Sequence, residues 1–91
     1  GSATLVSMSV APNPATGGAA SVQYQLRRAA SVRLALFASD GRQLWATVSQ
    51  QLPAGNHTTS IDLSGIPEGA YYLSVTTNGE RTTSLLTITR Q

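Results

Sequence analysis

The stretch Gly65-Ile66-Pro67-Glu68-Gly69-Ala70-Tyr71-Tyr72-Leu73-Ser74-Val75 decides the fold of this chain. Proline and glycine at positions 67 and 69 predict a turn, because proline presets a turn backbone and glycine permits conformations that other residues avoid. The strand that follows places Tyr71, Leu73 and Val75 on one face. A tyrosine that begins a strand after such a corner is typical of sandwich folds, where its hydroxyl binds nearby backbone. An ordinary core tyrosine is the alternative.

Alternation of apolar and polar residues recurs outward from this stretch, without a helical period. The predicted strands are Thr4–Val10, Ser21–Leu26, Ser31–Ala38, Leu44–Val48, His57–Leu63, the opening strand itself and Arg81–Thr89. The first strand is expected to bury Val6, Met8 and Val10. Seven short strands separated by turns favour an all-β, antiparallel Greek-key sandwich, with an up-and-down barrel as the second choice.

Asn78-Gly79 predicts a two-residue type I′ hairpin, because both residues tolerate the positive φ that this turn requires. The register of that hairpin sets Tyr71 opposite Leu86. The last strand is therefore expected to bury Leu86 and Ile88.

Ser39-Asp40-Gly41 predicts a second hairpin, whose loop length decides its register. A two-residue turn would place Leu36 opposite Trp45, on conflicting faces. A three-residue loop with Gly41 left-handed in a bulge instead pairs Leu36 with Leu44, and we favour it. It buries Leu44, Ala46 and Val48 by pairing them with Leu36, Leu34 and Val32. Trp45 and Arg33 are then expected on the outer face, where an exposed indole indicates a contact surface.

Composition fits one small domain of 91 residues, with 41% hydrophobic and 11% charged residues. Residues 1–3 are interpreted as a cloning scar and linker, and residues 4–91 as a single domain. The net charge of +2 comes from six arginines spread along the chain, which argues against a nucleic-acid surface. The longest apolar run, Leu34–Ala38, is too short to span a membrane.

Catalytic and metal-binding patterns are not found in the sequence. His57 is the single histidine and there is no cysteine, so a zinc site lacks ligands. Most of the four acidic residues lie in or beside predicted turns, and no nucleophile elbow, phosphate loop or dinucleotide fingerprint occurs. We expect no catalytic residue, no cofactor and no metal.

Four segments, in this order, carry a resemblance to a known family. They are Val10-Ala11-Pro12-Asn13-Pro14, Val32-Arg33-Leu34 leading to Ser39-Asp40-Gly41-Arg42, Leu52-Pro53-Ala54-Gly55-Asn56-His57, and Ile66-Pro67-Glu68-Gly69-Ala70-Tyr71. Together they cover about Val10 to Ile88, and the chain resembles the C-terminal sorting domains of the bacterial type IX (Por) secretion system. Family members commonly end in an apolar strand with a lysine, where this chain has Arg90.

The resemblance implies a seven-stranded immunoglobulin-like sandwich at the end of an exported cargo protein. Its partners would be the outer-membrane translocon and the sortase-like attachment machinery, with anionic lipopolysaccharide as a further partner. The cargo would cross the periplasm and reach the cell surface or the medium. The candidate recognition and structural residues are Pro12, Asn13, Pro14, Asp40, Gly41, Gly69, Tyr71, Leu86, Ile88 and Arg90.

We hypothesise that the last hairpin, Ala70–Arg90, is the part that the translocon reads, because an unpaired sheet edge can accept another strand. The same edges permit dimerisation. Two alternatives stay open. One is a retained lipopolysaccharide- or glycan-binding module with Trp45 and Tyr72 as exposed rings, and the other is a structural immunoglobulin-like spacer.

Overall fold

The computed structural model describes residues 4–13, 15–16 and 18–89. They form eight strands: β1 (Leu5–Ala11), β2 (Ala19–Leu26), β3 (Ala30–Ala38), β4 (Gln43–Ala46), β5 (Gln50–Leu52), β6 (Gly55–Asp62), β7 (Gly69–Thr77) and β8 (Glu80–Ile88). In the described part of the chain, no helix has the length and apolar character needed to cross a membrane.

Two antiparallel sheets pack around one core. The smaller sheet has the strand order β1-β2-β6, and the larger has β4-β3-β7-β8, with β5 also paired to β3. The largest fully buried side chains come from both sheets: Leu26, Leu36, Ile61, Leu63, Leu73, Leu86 and Ile88. The predicted all-β antiparallel sandwich is confirmed, with eight strands in place of seven.

The extra strand, β5, lies in a segment predicted to be a loop. It pairs with the beginning of β3, with Leu52 opposite Ala30, while β4 pairs with the end of β3. The sequence Gln50-Gln51-Leu52 has no apolar alternation, so its backbone pairing leaves no pattern that sequence reading detects.

The hairpin between β3 and β4 has the predicted three-residue loop but not the predicted register. Gly41 has a φ of 91°, and the Ala38 and Gly41 N–H groups donate to Arg42 O and Ala38 O, both at 2.9 Å. A further irregularity then places Leu36 opposite Trp45, so the predicted pairing with Leu44 is wrong. Leu44 is the extra residue of this second bulge.

The second bulge exchanges the faces of β4. Trp45 packs against the core instead of standing on the outer face, and Leu44 is 37% exposed. Beyond β4, the residue opposite Leu34 is Thr47, whose N–H donates to Leu34 O at 2.9 Å. Ala46 was predicted to lie there. Val48, predicted to be inward, is 76% exposed. The larger indole is partly buried in place of the smaller leucine, which removes more apolar surface from water.

A similar slip occurs in β1, whose register shifts between Leu5 and Ser7. Val6 is consequently 44% exposed, whereas it was predicted to be buried, and Leu5 packs against the core instead. Met8 and Val10 pack against the core as predicted. One bulged residue is enough to reverse the faces of the residues before it, because side chains alternate along a strand.

Candidate recognition surface on the C-terminal hairpin

Tyr71 forms a tyrosine corner at the start of β7. Its hydroxyl donates to the carbonyl oxygen of Pro67, four residues upstream, at 2.6 Å, and the residue is 7% exposed. The ring lies against Gly69, with Cε2 3.7 Å from the place where a Cβ atom would stand. Of the two interpretations that the sequence left open for Tyr71, the structure shows the corner, and it fixes the direction in which the chain enters β7.

The hairpin formed by β7 and β8 keeps one register over its whole length. Asn78 and Gly79 have φ angles of 49° and 89°, which confirms the predicted type I′ turn. Tyr71 lies opposite Leu86, as predicted. Leu86 and Ile88 are 0% exposed, so the inner face of β8 belongs to the core.

Asn13 and Ala15, between β1 and β2, lie along the end of β8. Asn13 Nδ2 donates to Leu85 O at 3.1 Å, and the Thr87 N–H donates to Asn13 Oδ1 at 3.2 Å. The Ala15 N–H donates to Thr87 O at 2.8 Å, and the Thr89 N–H donates to Ala15 O at 2.9 Å. We call Asn13 and Ala15 the strap. The Asn13 side-chain amide makes the two hydrogen bonds to β8 that the backbone of a neighbouring strand would make.

An apolar row crosses the outer face of the larger sheet. Phe37, Tyr72 and Leu85 are cross-strand neighbours on β3, β7 and β8, and we call them the outer row. Tyr72 is 43% exposed and Leu85 is 51% exposed. The Arg81 guanidinium carbon lies 5.5 Å from the centre of the Phe37 ring, a cation–π contact. Because β8 is the last strand of this sheet, the outer row reaches the sheet edge at Leu85.

Three of the four segments that carry the family resemblance meet at one end of the sandwich. The Asp40 turn and the tyrosine corner line a shared open depression that includes Gly69 and Tyr71. Ala15, next to the Pro12–Pro14 segment, forms a parallel bridge with Ile88. The end of β8 is thus surrounded by segments that are far apart in the sequence.

The fourth segment lies at the opposite end. Leu52 pairs with Ala30, and a His57 ring nitrogen, Nε2, lies 2.8 Å from Pro53 O. The His57 and Tyr24 rings are tilted against each other, with centroids 5.6 Å apart. Within the described ranges, no three side chains of the histidine, cysteine, aspartate and glutamate types gather as a metal site would require. His57, in β6, therefore contacts the preceding loop and the Tyr24 ring.

The remaining candidate residues have turn or surface positions. Asp40 Oδ1 accepts a hydrogen bond from the Arg42 N–H at 3.0 Å, which stabilises the turn after β3. Pro12 is exposed and follows a cis peptide bond. Pro14 and Arg90 lie outside the described residues. The role of any candidate residue in recognition stays a prediction.

Sequence reasoning missed Ala15, Phe37, Arg81 and Leu85 as members of this surface. Ala15 is 0% exposed and joins a loop to the last strand, which no local pattern indicates. Phe37 and Leu85 were available as outward positions of predicted strands, and the Asn78-Gly79 register would have placed Leu85 beside Tyr72. The sequence lacked the long-range pairing that brings Ala15 to β8 and Phe37 beside Tyr72.

A family model described as "Secretion system C-terminal sorting domain" matches residues 9–89. The match begins within β1 and ends beyond β8, so it covers nearly the whole sandwich. No curated protein matches this chain. Domains of this family act with the secretion machinery and send their cargo to the cell surface or the extracellular space. The chain belongs to the family of C-terminal sorting domains of the type IX secretion system.

Proposed function

We propose that the hairpin of β7 and β8 is the signal that the type IX translocon reads, and that the domain itself catalyses nothing. Cargo joined to this domain passes through the periplasm and crosses the outer membrane. The sortase-like machinery then removes the domain or leaves it on the exported cargo.

One observation carries this proposal: the hairpin ends the larger sheet and is held in shape from two sides. The Tyr71 hydroxyl ties its beginning to Pro67, and the strap binds the backbone at its end. A receptor that recognises a rigid hairpin loses less conformational entropy on binding than one that recognises a flexible tail.

The test is a fluorescent protein fused ahead of this domain, expressed in hosts with and without the secretion system. Deletion of Leu85–Gln91 is expected to leave the fluorescence in the periplasm. Because the deletion also removes Leu86 and Ile88 from the core, a matched control is required. Ile61→Ala, in β6, destabilises the core without changing the hairpin. Normal export of the truncated fusion would contradict the proposal, as would equal loss of export in a folded Ile61→Ala control.

The fate of the domain is tested on the exported cargo. Mass spectrometry of the surface and secreted fractions distinguishes a cargo that has lost residues 4–91 from one that retains them. We expect loss in a host whose sortase-like protease is intact and retention when that protease is inactivated.

The glycan-binding alternative depended on two exposed rings, Trp45 and Tyr72. Trp45 packs against the core, so of these two only Tyr72 is offered to a ligand. Glycan-binding faces on sandwiches usually carry several aromatic rings, and we therefore prefer the sorting function to this alternative and to the spacer. Binding of the isolated domain to lipopolysaccharide or to a glycan array would reverse that preference.

A further inference from the structure

β8 is the last strand of the larger sheet and is nine residues long. Its pairing with β7 has no register shift, so no bulge turns its outer edge away from solvent. Edge strands of this length and regularity pair readily with other chains unless a protein protects them. The two halves of β8 differ in that protection.

Outward-facing backbone groups alternate along β8. The residues that flank a two-residue hairpin turn exchange hydrogen bonds with each other, and every second residue after them does the same. The residues between these positions, Arg81, Thr83, Leu85, Thr87 and Thr89, direct their N–H and C=O groups to the outer edge. The strap confirms this alternation, since it bonds to Leu85 O, Thr87 N, Thr87 O and Thr89 N.

The strap therefore closes the second half of the edge. Ala15 forms a single parallel bridge with β8, and the Asn13 side chain extends that pairing by one step. This half of β8 shows that the outer edge accepts backbone hydrogen bonds from another segment, because Ala15 of the same chain already makes them.

The first half of the edge has none of the usual protections. From Arg81 to Leu85 the strand contains no proline and no lysine, and no segment of the described chain bonds to its outer side except at Leu85 O, which accepts the Asn13 side chain. Arg81 is the one charged residue in this stretch. Its guanidinium lies over Phe37 on β3, two strands in from the edge, so its charge is turned away from the place where a strand would add.

Apolar surface lies directly beside this open half. Leu85 and Tyr72 are both exposed, at 51% and 43%, and they are neighbours on the outer face. A strand that pairs with Arg81–Leu85 would place alternate side chains next to Leu85 and so bury part of the outer row. Backbone pairing with an adjoining apolar contact is the usual arrangement of strand addition.

We propose that the open half of the β8 edge, residues 81–85, is the docking site for an extended strand of the export machinery, and that the strap marks where this pairing stops. This inference rests on the proposed function and locates it more narrowly. The signal is a five-residue stretch of edge together with the outer row, not the whole hairpin.

A second copy of this chain fits the site less well. Five residues of strand extend about 17 Å, and two such stretches paired with each other bury far less than the roughly 1,200 Å² of a stable interface. A short edge suits a partner that must bind a signal and then release it.

Thr83→Pro tests the docking site, because the Thr83 N–H points to the outer edge and proline removes it without breaking a bond to β7. Export of the fluorescent fusion is expected to fall by roughly fivefold or more, as one lost hydrogen bond and the misfit of the ring predict. A melting curve of the purified domain establishes that the variant folds.

Leu85→Thr is the second test of the docking site, and it is decisive if Thr83→Pro does not fold. It removes the exposed apolar side chain and keeps a residue that favours strands. Its matched control is Val48→Thr, since Val48 is 76% exposed and lies away from β8. Reduced export of Leu85→Thr with normal export of Val48→Thr supports the docking site. Normal export of a folded Thr83→Pro or of Leu85→Thr overturns it.

Amide hydrogen exchange provides a direct measurement of docking. A detergent-solubilised outer-membrane fraction from a host with the secretion system is expected to slow exchange at Thr83 and Leu85, and a fraction from a host without it is not. If the unchanged domain is not exported at all, the proposed function fails. If it is exported but these amides exchange equally in both fractions, the docking site alone fails. Protection that depends only on the domain's own concentration would assign the edge to a second copy and overturn the proposal.

Discussion

The two edges of the larger sheet are built in opposite ways. One edge is divided between β4, of four residues, and β5, of three residues, which pair with different parts of β3. A bulge at Leu44 interrupts the first of them. The other edge is the single regular strand β8, nine residues long and without a register shift.

This difference indicates which edge is free to bind. Short strands and bulges are common means by which proteins prevent association through sheet edges. The β4–β5 edge uses both. The β8 edge uses neither, and its cover is limited to the half that the strap reaches. The proposed docking site therefore lies on the less protected of the two edges.

The largest effect is expected from Tyr71→Ala, which removes the tyrosine corner at the start of β7. Loss of the ring should cost about 3–5 kcal/mol of unfolding free energy, as for other buried aromatic side chains. The melting temperature should fall by on the order of 15 °C or more. Tyr71→Phe, which loses only the hydrogen bond to Pro67, should cost about 1 kcal/mol.

Export of both Tyr71 variants is expected to follow their stability, measured by thermal unfolding of the purified domains. A Tyr71→Ala domain of unchanged stability whose export is abolished would show instead that Tyr71 contacts the machinery directly.

A smaller effect is expected at the protected edge. Trp45→Ser should destabilise the domain by about 1–3 kcal/mol, because the indole packs against the core. Leu44→Ser is the matched change next to it and should be close to neutral, since the bulge exposes that side chain. Denaturant unfolding of the two variants measures the difference in stability. A larger loss for Leu44→Ser than for Trp45→Ser would contradict the second bulge. Neither variant is expected to reduce export beyond its effect on stability.

Opening the strap is expected to have a still smaller effect on stability. Asn13→Ala removes two hydrogen bonds to β8 at an exposed position, where water replaces them, so the loss should be about 1 kcal/mol or less. Amide exchange at Thr87 should become faster, while exchange at Leu86, which bonds to β7, should not change. Asn56→Ala, at an exposed asparagine of β6, is the control. Unchanged exchange at Thr87 would show that the strap does not cover the edge.

The smallest effect concerns neither edge and serves as a reference for them. Ser64 donates its hydroxyl and its N–H to Asp62 Oδ1 at 2.7 and 3.0 Å, and these bonds hold the pKa of Asp62 below its usual 3.8. Because the folded-state pKa is the lower one, the stabilisation is present above the unfolded-state pKa and is lost as pH falls through the folded-state value.

Asp62→Asn should therefore lower the melting temperature slightly at neutral pH, and the difference from the unchanged domain should disappear in acid. Thermal melts between about pH 6 and about pH 2 would measure it. A difference that grows as the pH falls would contradict this assignment.

The regular edge was predictable from the sequence and the irregular edge was not. Asn78-Gly79 specifies a turn by local backbone chemistry, so the pairing of Tyr71 with Leu86 followed from counting residues. The loop at Gly41 was equally local and was predicted correctly. The second bulge depends on whether Trp45 or Leu44 fills the core, and that choice is made by packing between elements distant in sequence.

The recognition surface was predicted only in part. Asn13 was singled out from the resemblance and Leu86 from the hairpin register, but the hydrogen bonds of Asn13 to β8 have no local signature. Leu85 was passed over because its side chain faces away from the core. Which edge a loop covers is decided by tertiary structure, and one sequence contains no direct record of it.

The strap also places a condition on the order of folding. Its side-chain hydrogen bonds join residues separated by 72 and 74 positions in the chain. Contacts of such high sequence separation form late, after the loop closures on which they depend. The end of β8 is therefore covered only when the first and last strands have both been built and brought together. A partly folded copy exposes a longer edge than a finished one, so the length of open edge distinguishes completed domains from incomplete ones.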